Sequence, residues 1–202
     1  MSDKPAFTAY DGLSRSDAEE VTVHSLEQAA AELARAGDEG RTVALRAAGA
    51  SFHDQAMGSD RVLLLGDMPP TLRREGDTLV VGPSATCGAV FDELLTTGHA
   101  LPALPTSRRI SIGGSLSADT LTRWSPFFRK LSSTLLAFDL FCPDGECRRI
   151  VRPGPGTSGL NDRLFRAVPG GFGLLGLIGE MTFAPVATGF PAGPAPRVQT
   201  RL

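Results

Sequence analysis

Residues 101–118 read LPALPTSRRISIGGSLSA, and within them Ile112-Gly113-Gly114-Ser115-Leu116-Ser117-Ala118 sets two glycines between apolar and hydroxyl residues. Paired glycines let backbone approach a ligand closely, and a short helical turn starting there would aim its N–H groups at a phosphate. Glycines also serve simply to turn corners, so this stretch needs company before it decides a fold. Working outward, two more turns of the same kind appear, one on either side. Upstream, Arg46-Ala47-Ala48-Gly49-Ala50-Ser51 stands at the end of a predicted strand. Consecutive N–H groups in a tight loop with tiny side chains can converge on an anion. Downstream, Gly170-Gly171-Phe172-Gly173-Leu174-Leu175-Gly176-Leu177-Ile178 has glycines that permit positive φ and apolar residues that can wall a flat ring. None of the three fits the Walker pattern or G-x-G-x-x-G between a strand and a helix, which argues against both of those nucleotide sites.

The intervening sequence alternates strand and helix signals. Glu20–His24 reads as a short strand, and a helix follows at once. Ser25 can cap it, Gln28 can reach back, Leu26, Ala29, Ala30 and Leu33 form the apolar stripe, and Gly37 is the expected stop. Arg41–Ala47, Arg61–Leu65 and Thr78–Val81 are predicted strands, the last after a Glu75-Gly76-Asp77 turn. Thr86–Thr97 reads as a second helix closed by Gly98, with Val90, Phe91, Leu94 and Leu95 at helical spacing. Leu135–Phe141 and Glu146–Val151 flank Pro143-Asp144-Gly145, a strong hairpin signal. Asp162–Val168 is a predicted helix and Leu177–Phe183 a closing strand. From Pro185 onward the chain is rich in Pro, Gly and Ala, and 186–202 reads as an extended tail. The order implies an α+β fold.

Composition narrows the function. The 202 residues suit one domain or two small lobes sharing a core, and 42% hydrophobic with 21% charged residues argues against disorder. The net charge of −2 supplies no basic face, so nucleic acid is a poor partner. The longest apolar stretches are strand-sized, which predicts no membrane span, and no apolar signal region opens the sequence, which makes the cytoplasm the default location. Cys142 and Cys147 flank the hairpin turn; a disulfide is conceivable there, though two strand-end thiols is the plainer reading. Cys87 stands apart, and His24, His53 and His99 are scattered without zinc-site spacing, so no metal is expected.

Taken in order, four elements resemble one family. They are RAAGAS, LPALPTSRRISIGGSLSA, the aspartate-bearing LLAFDLFCPDGECRRI and LFRAVPGGFGLLGLI. From about Val21 to Phe183 the chain resembles the FAD-binding (PCMH-type) domain of the vanillyl-alcohol oxidase/p-cresol methylhydroxylase flavoprotein family. The resemblance implies a two-lobed α+β domain with mixed sheets over 15–185 and subdomains of about 15–68 and 69–185. Family oxidases follow it with a substrate-binding cap, which is expected to be missing here because the sequence ends about twenty residues after the last family strand. It implies that Ala47, Ala48, Gly49, Ala50 and Ser51 cradle the FAD pyrophosphate. Gly113, Gly114, Ser115, Ser117 and Ala118 would meet the pyrophosphate and ribityl portion. Ile178 would lie near the adenine or dimethylbenzene end, and Pro105 would shape the adjoining wall. Ala50 stands where many relatives carry a flavin-linking histidine, so the FAD is expected to be non-covalent; nearby His53 reads as a surface or hinge residue.

The sequence also departs from the family pattern. Ala47 replaces a loop glycine, a mild change unless φ is positive there. Where relatives carry a histidine-glycine pair and further small residues, 119–132 reads DTLTRWSPFFRKLS, without glycine. Trp124, Phe127 and Phe128 could crowd the ring side of the pocket, while Arg123, Arg129 and Lys130 read as a solvated basic turn or, alternatively, an anion or substrate site. No catalytic residue can be assigned; the only tyrosine, Tyr10, precedes the first strand. The leading expectation is an FAD-binding oxidoreductase domain acting on an unknown small molecule with a cap-bearing partner chain or as a homodimer. The alternative is a flavin-free cyclase or binding protein using Trp124, Phe127, Phe128 and Phe172 as an apolar mould.

Overall fold

The computed structural model describes residues 7–58, 60–123 and 125–189. The first half runs β1 (Phe7–Thr8), β2 (Arg15–Ser16), β3 (Glu19–Thr22), α1 (Leu26–Asp38), β4 (Val43–Arg46) and β5 (Arg61–Leu64). The second runs β6 (Leu72–Glu75), β7 (Thr78–Val81), α2 (Cys87–Leu95), β8 (His99–Ala100), α3 (Ile112–Ser117), α4 (Ser125–Phe128), β9 (Leu135–Phe141), β10 (Cys147–Val151), α5 (Leu160–Ala167), β11 (Leu177–Phe183) and β12 (Val186–Ala187).

Two main sheets result, and among the described residues each has a single sense, which corrects the expectation of mixed sheets. Strands β3, β5 and β4 form a parallel sheet in that order. Its strands are joined by crossovers, α1 and the long loop after β4, which bring successive strands back in the same direction. Strands β10-β9-β11-β7-β6 form an antiparallel sheet. Here the local connections are hairpins: β9–β10 turns at Gly145 (φ +81), and β6, absent from the sequence reading, pairs with β7 across Gly76 (φ +58).

Each sheet has its own core. Ala29 and Leu33 of α1 pack with Val23, Leu63, Leu65 and Met68 under the parallel sheet. Val90 and Leu94 of α2, Ile112 and Leu116 of α3 and Phe165 of α5 pack with Phe138, Met181 and Phe183 on the antiparallel sheet. Leu177, at the start of β11, is buried in the smaller core, and Phe141 of β9 packs beside it. The larger sheet thus inserts one end into the smaller unit and fixes the two together. A buried guanidinium connects the elements of the smaller unit: Arg61 Nη2 lies 3.2 Å from Glu19 and 3.3 Å from Glu39, with Nη1 3.6 Å from Glu32. Arg61 is only 2% exposed, so this charge is compensated from β3 and from the body and end of α1.

Local signals in the sequence operate much as expected. Ser25 Oγ accepts from Gln28 N–H (3.1 Å), while Gln28 Oε1 accepts from the N–H of His24, one residue before the cap. Helix α1 does not stop at Gly37; it continues to Asp38, and the left-handed residue that ends it is Gly40 (φ +65). The tail also differs, because Val186–Ala187 pairs with His99–Ala100 and Thr188 N–H donates to Gly98 O; residues 190–202 lie outside the described residues. Cys142 and Cys147 are free thiols. Among the described residues no helix is long and apolar enough to cross a membrane.

Candidate functional site

The loop after β4 forms one wall of a cleft of about 320 Å³ whose other walls come from α3 and the turn before β11. Ala47, Ala48, Gly49, Ala50 and Ser51 all line it. The N–H groups of these five residues donate to no protein acceptor among the described residues. With side chains no larger than a hydroxymethyl, they leave backbone as the surface a ligand would meet. Ala47 does not take a positive φ, so its replacement of glycine is unstrained, whereas Gly49 does (φ +64). Arg46 lies behind the loop: its Nη2 would stand 2.8 Å from a Cβ at Gly49, and it donates to Thr8 O at 3.0 Å. Unused amides beside a guanidinium are the donor set that an anion site requires.

The N-terminal hairpin, which no sequence signal revealed, holds this loop in place. Tyr10 N–H donates to Ser51 O and Asp11 N–H to Phe52 O, and the Tyr10 and Phe52 rings meet edge to face at 5.4 Å. His53, just beyond, faces solvent with Nδ1 3.1 Å from Asp11 Oδ2. The Asp11 carboxyl is held below the usual range, first by the N–H groups of Leu13 and Ser14 and then by His53.

Helix α3 plays a different part from the one its glycines suggested. Ile112 N–H donates to Ala85 O (2.8 Å), Gly113 N–H to Pro83 O (3.0 Å), and Gly114 N–H to the capping Ser111 Oγ (3.3 Å). Its first-turn donors are therefore taken by the protein, and the helix cannot present them to a phosphate. The reason for glycine at Gly113 is packing: a Cβ there would lie 2.7 Å from Pro83 Cβ and 2.9 Å from Pro83 O. Gly114, Ser115, Ser117 and Ala118 do line the cleft. Gly113 and Ile178 line a narrower space of about 60 Å³ that shares Ala47, Gly114, Ser117 and Gly173 with it. Pro105 lines neither space; it sits half-buried in the loop after β8.

The third turn closes over α3, with Gly170 N–H on Leu116 O and Phe172 N–H on Ser117 O (2.9 Å). This places Phe172, itself in the left-handed region (φ +51), along the cleft. The glycine-free stretch after α3 turns instead on two non-glycine left-handed residues, Asp119 (φ +44) and Arg129 (φ +62). Phe127 is 77% exposed and does not line the cleft, so it cannot fill it; Trp124 and the Phe128 side chain lie outside the described residues. The apolar-mould reading thereby loses a principal wall, and of its named aromatics the described residues place only Phe172 on the cleft. Sequence reasoning missed Phe52, Gln55 and Thr120 on the cleft wall. Phe52 could have been flagged by its position directly after the loop, but Thr120 carries no local signal.

Residues present fit FAD in three respects. The unused amides and Arg46 suit a pyrophosphate, Leu45, Leu65 and Ile178 give the cleft an apolar edge, and Thr120 Oγ1 is a buried hydroxyl in the wall without a protein partner among the described residues. Among the described residues, none that lines the cleft is ionisable. Comparison with known proteins agrees. Residues 19–150 match the model of the FAD binding domain. Over 182 residues the chain is 30% identical to a decaprenylphosphoryl-beta-D-ribose oxidase of Mycolicibacterium smegmatis (strain ATCC 700084 / mc(2)155), covering 87% of this chain but 36% of that protein. The chain therefore spans about a third of the length of that relative.

Proposed function

The chain belongs to the FAD binding domain family of PCMH type, with FAD as its cofactor, and on that premise we propose that it is the flavin-holding part of an oxidoreductase of the vanillyl-alcohol oxidase type. The observation that carries this reading is that Ala47 to Ser51 line the cleft and that none of their amides has a protein acceptor among the described residues. These N–H groups, with Arg46 behind them, would bind the pyrophosphate; Leu45, Leu65 and Ile178 would exclude water from the ring. FAD supplies two-electron transfer, accepting electrons from a substrate and passing them to an acceptor. The described cleft wall offers no acid or base, so proton handling falls to groups outside it. That supports a substrate cap contributed by polypeptide beyond these residues, in this protein or a partner chain. We divide the domain into a pyrophosphate-binding unit over about 15–68 and a second unit over 69–185. Alanine at Ala50 offers no attachment atom, and we propose that the FAD is held without a covalent bond. Denaturing the flavin-loaded chain and passing it through a size filter tests this: yellow colour in the filtrate is expected, and flavin retained with the polypeptide would refute non-covalent binding.

A further inference from the structure

A second concavity, of about 410 Å³, is lined in part by the segment that follows α3. Arg129, Lys130, Arg152 and Arg166 all line it, and the one carboxylate on its wall is Asp119. Asp119 is already engaged, accepting from Ser132 N–H at 3.1 Å and lying 3.4 Å from Lys130 Nζ. Four cations against one carboxylate leave an excess of three positive charges in a chain whose net charge is −2. Arg152 is fixed: Nε donates to Leu135 O, Nη2 to the carbonyls of Ser132 and Ser133, and the guanidinium lies 5.3 Å over the Phe165 ring. Arg129 and Arg166 have no carboxylate within 4 Å among the described residues. Three separate segments thus bring like charges together around one space, with only Lys130 paired to a carboxylate on its wall. Such an arrangement is relieved by a multivalent anion, and arginine forks match the oxygens of a phosphate.

We propose that this pocket binds phosphate, as the free ion or as the phosphate group of a small ester, at a site separate from the flavin cleft. The two spaces are one residue apart in the chain, since Asp119 lines this pocket and Thr120 the cleft. The sequence reading of Arg129 and Lys130 as a solvated turn does not account for the convergence of Arg152 and Arg166 from β10's end and α5. The test is calorimetric titration of inorganic phosphate into the chain, with and without FAD, against sodium chloride at matched ionic strength. Saturable binding is expected. The exposed pair Arg129→Gln/Arg166→Gln should weaken it about ten-fold or more, by loss of charge-assisted hydrogen bonds. Arg163→Gln, on α5 but off the pocket wall, should leave it within about two-fold, as a distant surface charge would. Phenyl phosphate separates two sources of the anion: tighter binding than inorganic phosphate assigns the Phe165 wall to an ester's organic part, and equal binding assigns the site to the free ion. Heat no greater than that of chloride, or equal weakening by Arg163→Gln, overturns the proposal. Because FAD affinity should be unchanged in the double variant, failure of the phosphate site and failure of the flavin reading are separately visible.

Discussion

Replacing Gly49 by alanine tests the cradle at its most constrained point. Gly49 has φ +64, where an L side chain costs roughly 1–2 kcal/mol. The new methyl would also stand 2.8 Å from Arg46 Nη2, 3.2 Å from Cζ and 3.3 Å from Nε. Arg46 can withdraw, being a flexible side chain, but doing so breaks its bond to Thr8 O and removes the cation behind the amides. For a domain of this size each kcal/mol shifts the melting midpoint by about 2–4 °C, so the flavin-free protein should melt about 2–8 °C lower. Loss of one charge-assisted hydrogen bond to a phosphate, about 1.5–3 kcal/mol, predicts FAD binding weaker by roughly ten- to a hundred-fold. Gly40→Ala is the matched control: its φ is +65, a Cβ there meets nothing within 4 Å, and it lies at the end of α1 off the cleft. It should lose comparable stability and keep its FAD affinity. Fluorescence titration with FAD and thermal melts of both variants decide the matter. Equal FAD affinity in Gly49→Ala and Gly40→Ala would refute the argument that the loop after β4 binds the cofactor.

Gly113→Ala should destabilise by about 1–2 kcal/mol, because overpacking against Pro83 outweighs the roughly 1 kcal/mol gain in helix propensity; urea unfolding that shows equal or greater stability would contradict that packing. Thr120→Val should raise the stability of the flavin-free chain by about 1 kcal/mol, since it removes a buried hydroxyl without a partner; a lower midpoint would show that the hydroxyl is satisfied after all. Arg73 on β6 reaches across β7 to pair both Glu180 oxygens at 2.8 Å, and this bonding is the first cause of the lowered Glu180 pKa. Because the folded pKa is depressed, the pair's contribution is complete above the ordinary value of 4.5 and is lost as pH falls through the folded value. Wild type should therefore exceed Glu180→Gln by about 0.5–1 kcal/mol at neutral pH, with the gap closing in acid below pH 4.5; a gap independent of pH would exclude the ion pair as its source.

Features set by neighbours in sequence were legible, and features set by distant partners were not. Strands β9 and β11 were placed at their observed limits because apolar alternation and the Asp144-Gly145 turn are local. The Ser25 cap was legible for the same reason. The donors of α3 were misjudged because their acceptors, Pro83 O and Ala85 O, come from a loop before α2 that no local pattern ties to Gly113. Likewise β1 and β2 have two residues each, too few for any periodicity, yet their turn pins Ser51 and Phe52. Gly37 and Gly40 both suit a helix end; the choice falls on Gly40, whose φ is +65, while Gly37 remains helical with Pro143 O close by. Bulky residues after α3 suggested a filled pocket, but the left-handed turns at Asp119 and Arg129 accompany a path that leaves Phe127 in solvent.

The most direct test of the flavin cradle is a titration of the purified chain with FAD, followed by visible absorbance and flavin fluorescence, with riboflavin as the comparison. Saturable binding of FAD, together with much weaker binding of riboflavin, is predicted because the amides of Ala47 to Ser51 and the Arg46 guanidinium act on the pyrophosphate. Equal affinity for the two flavins, or no saturable binding of either, would contradict it.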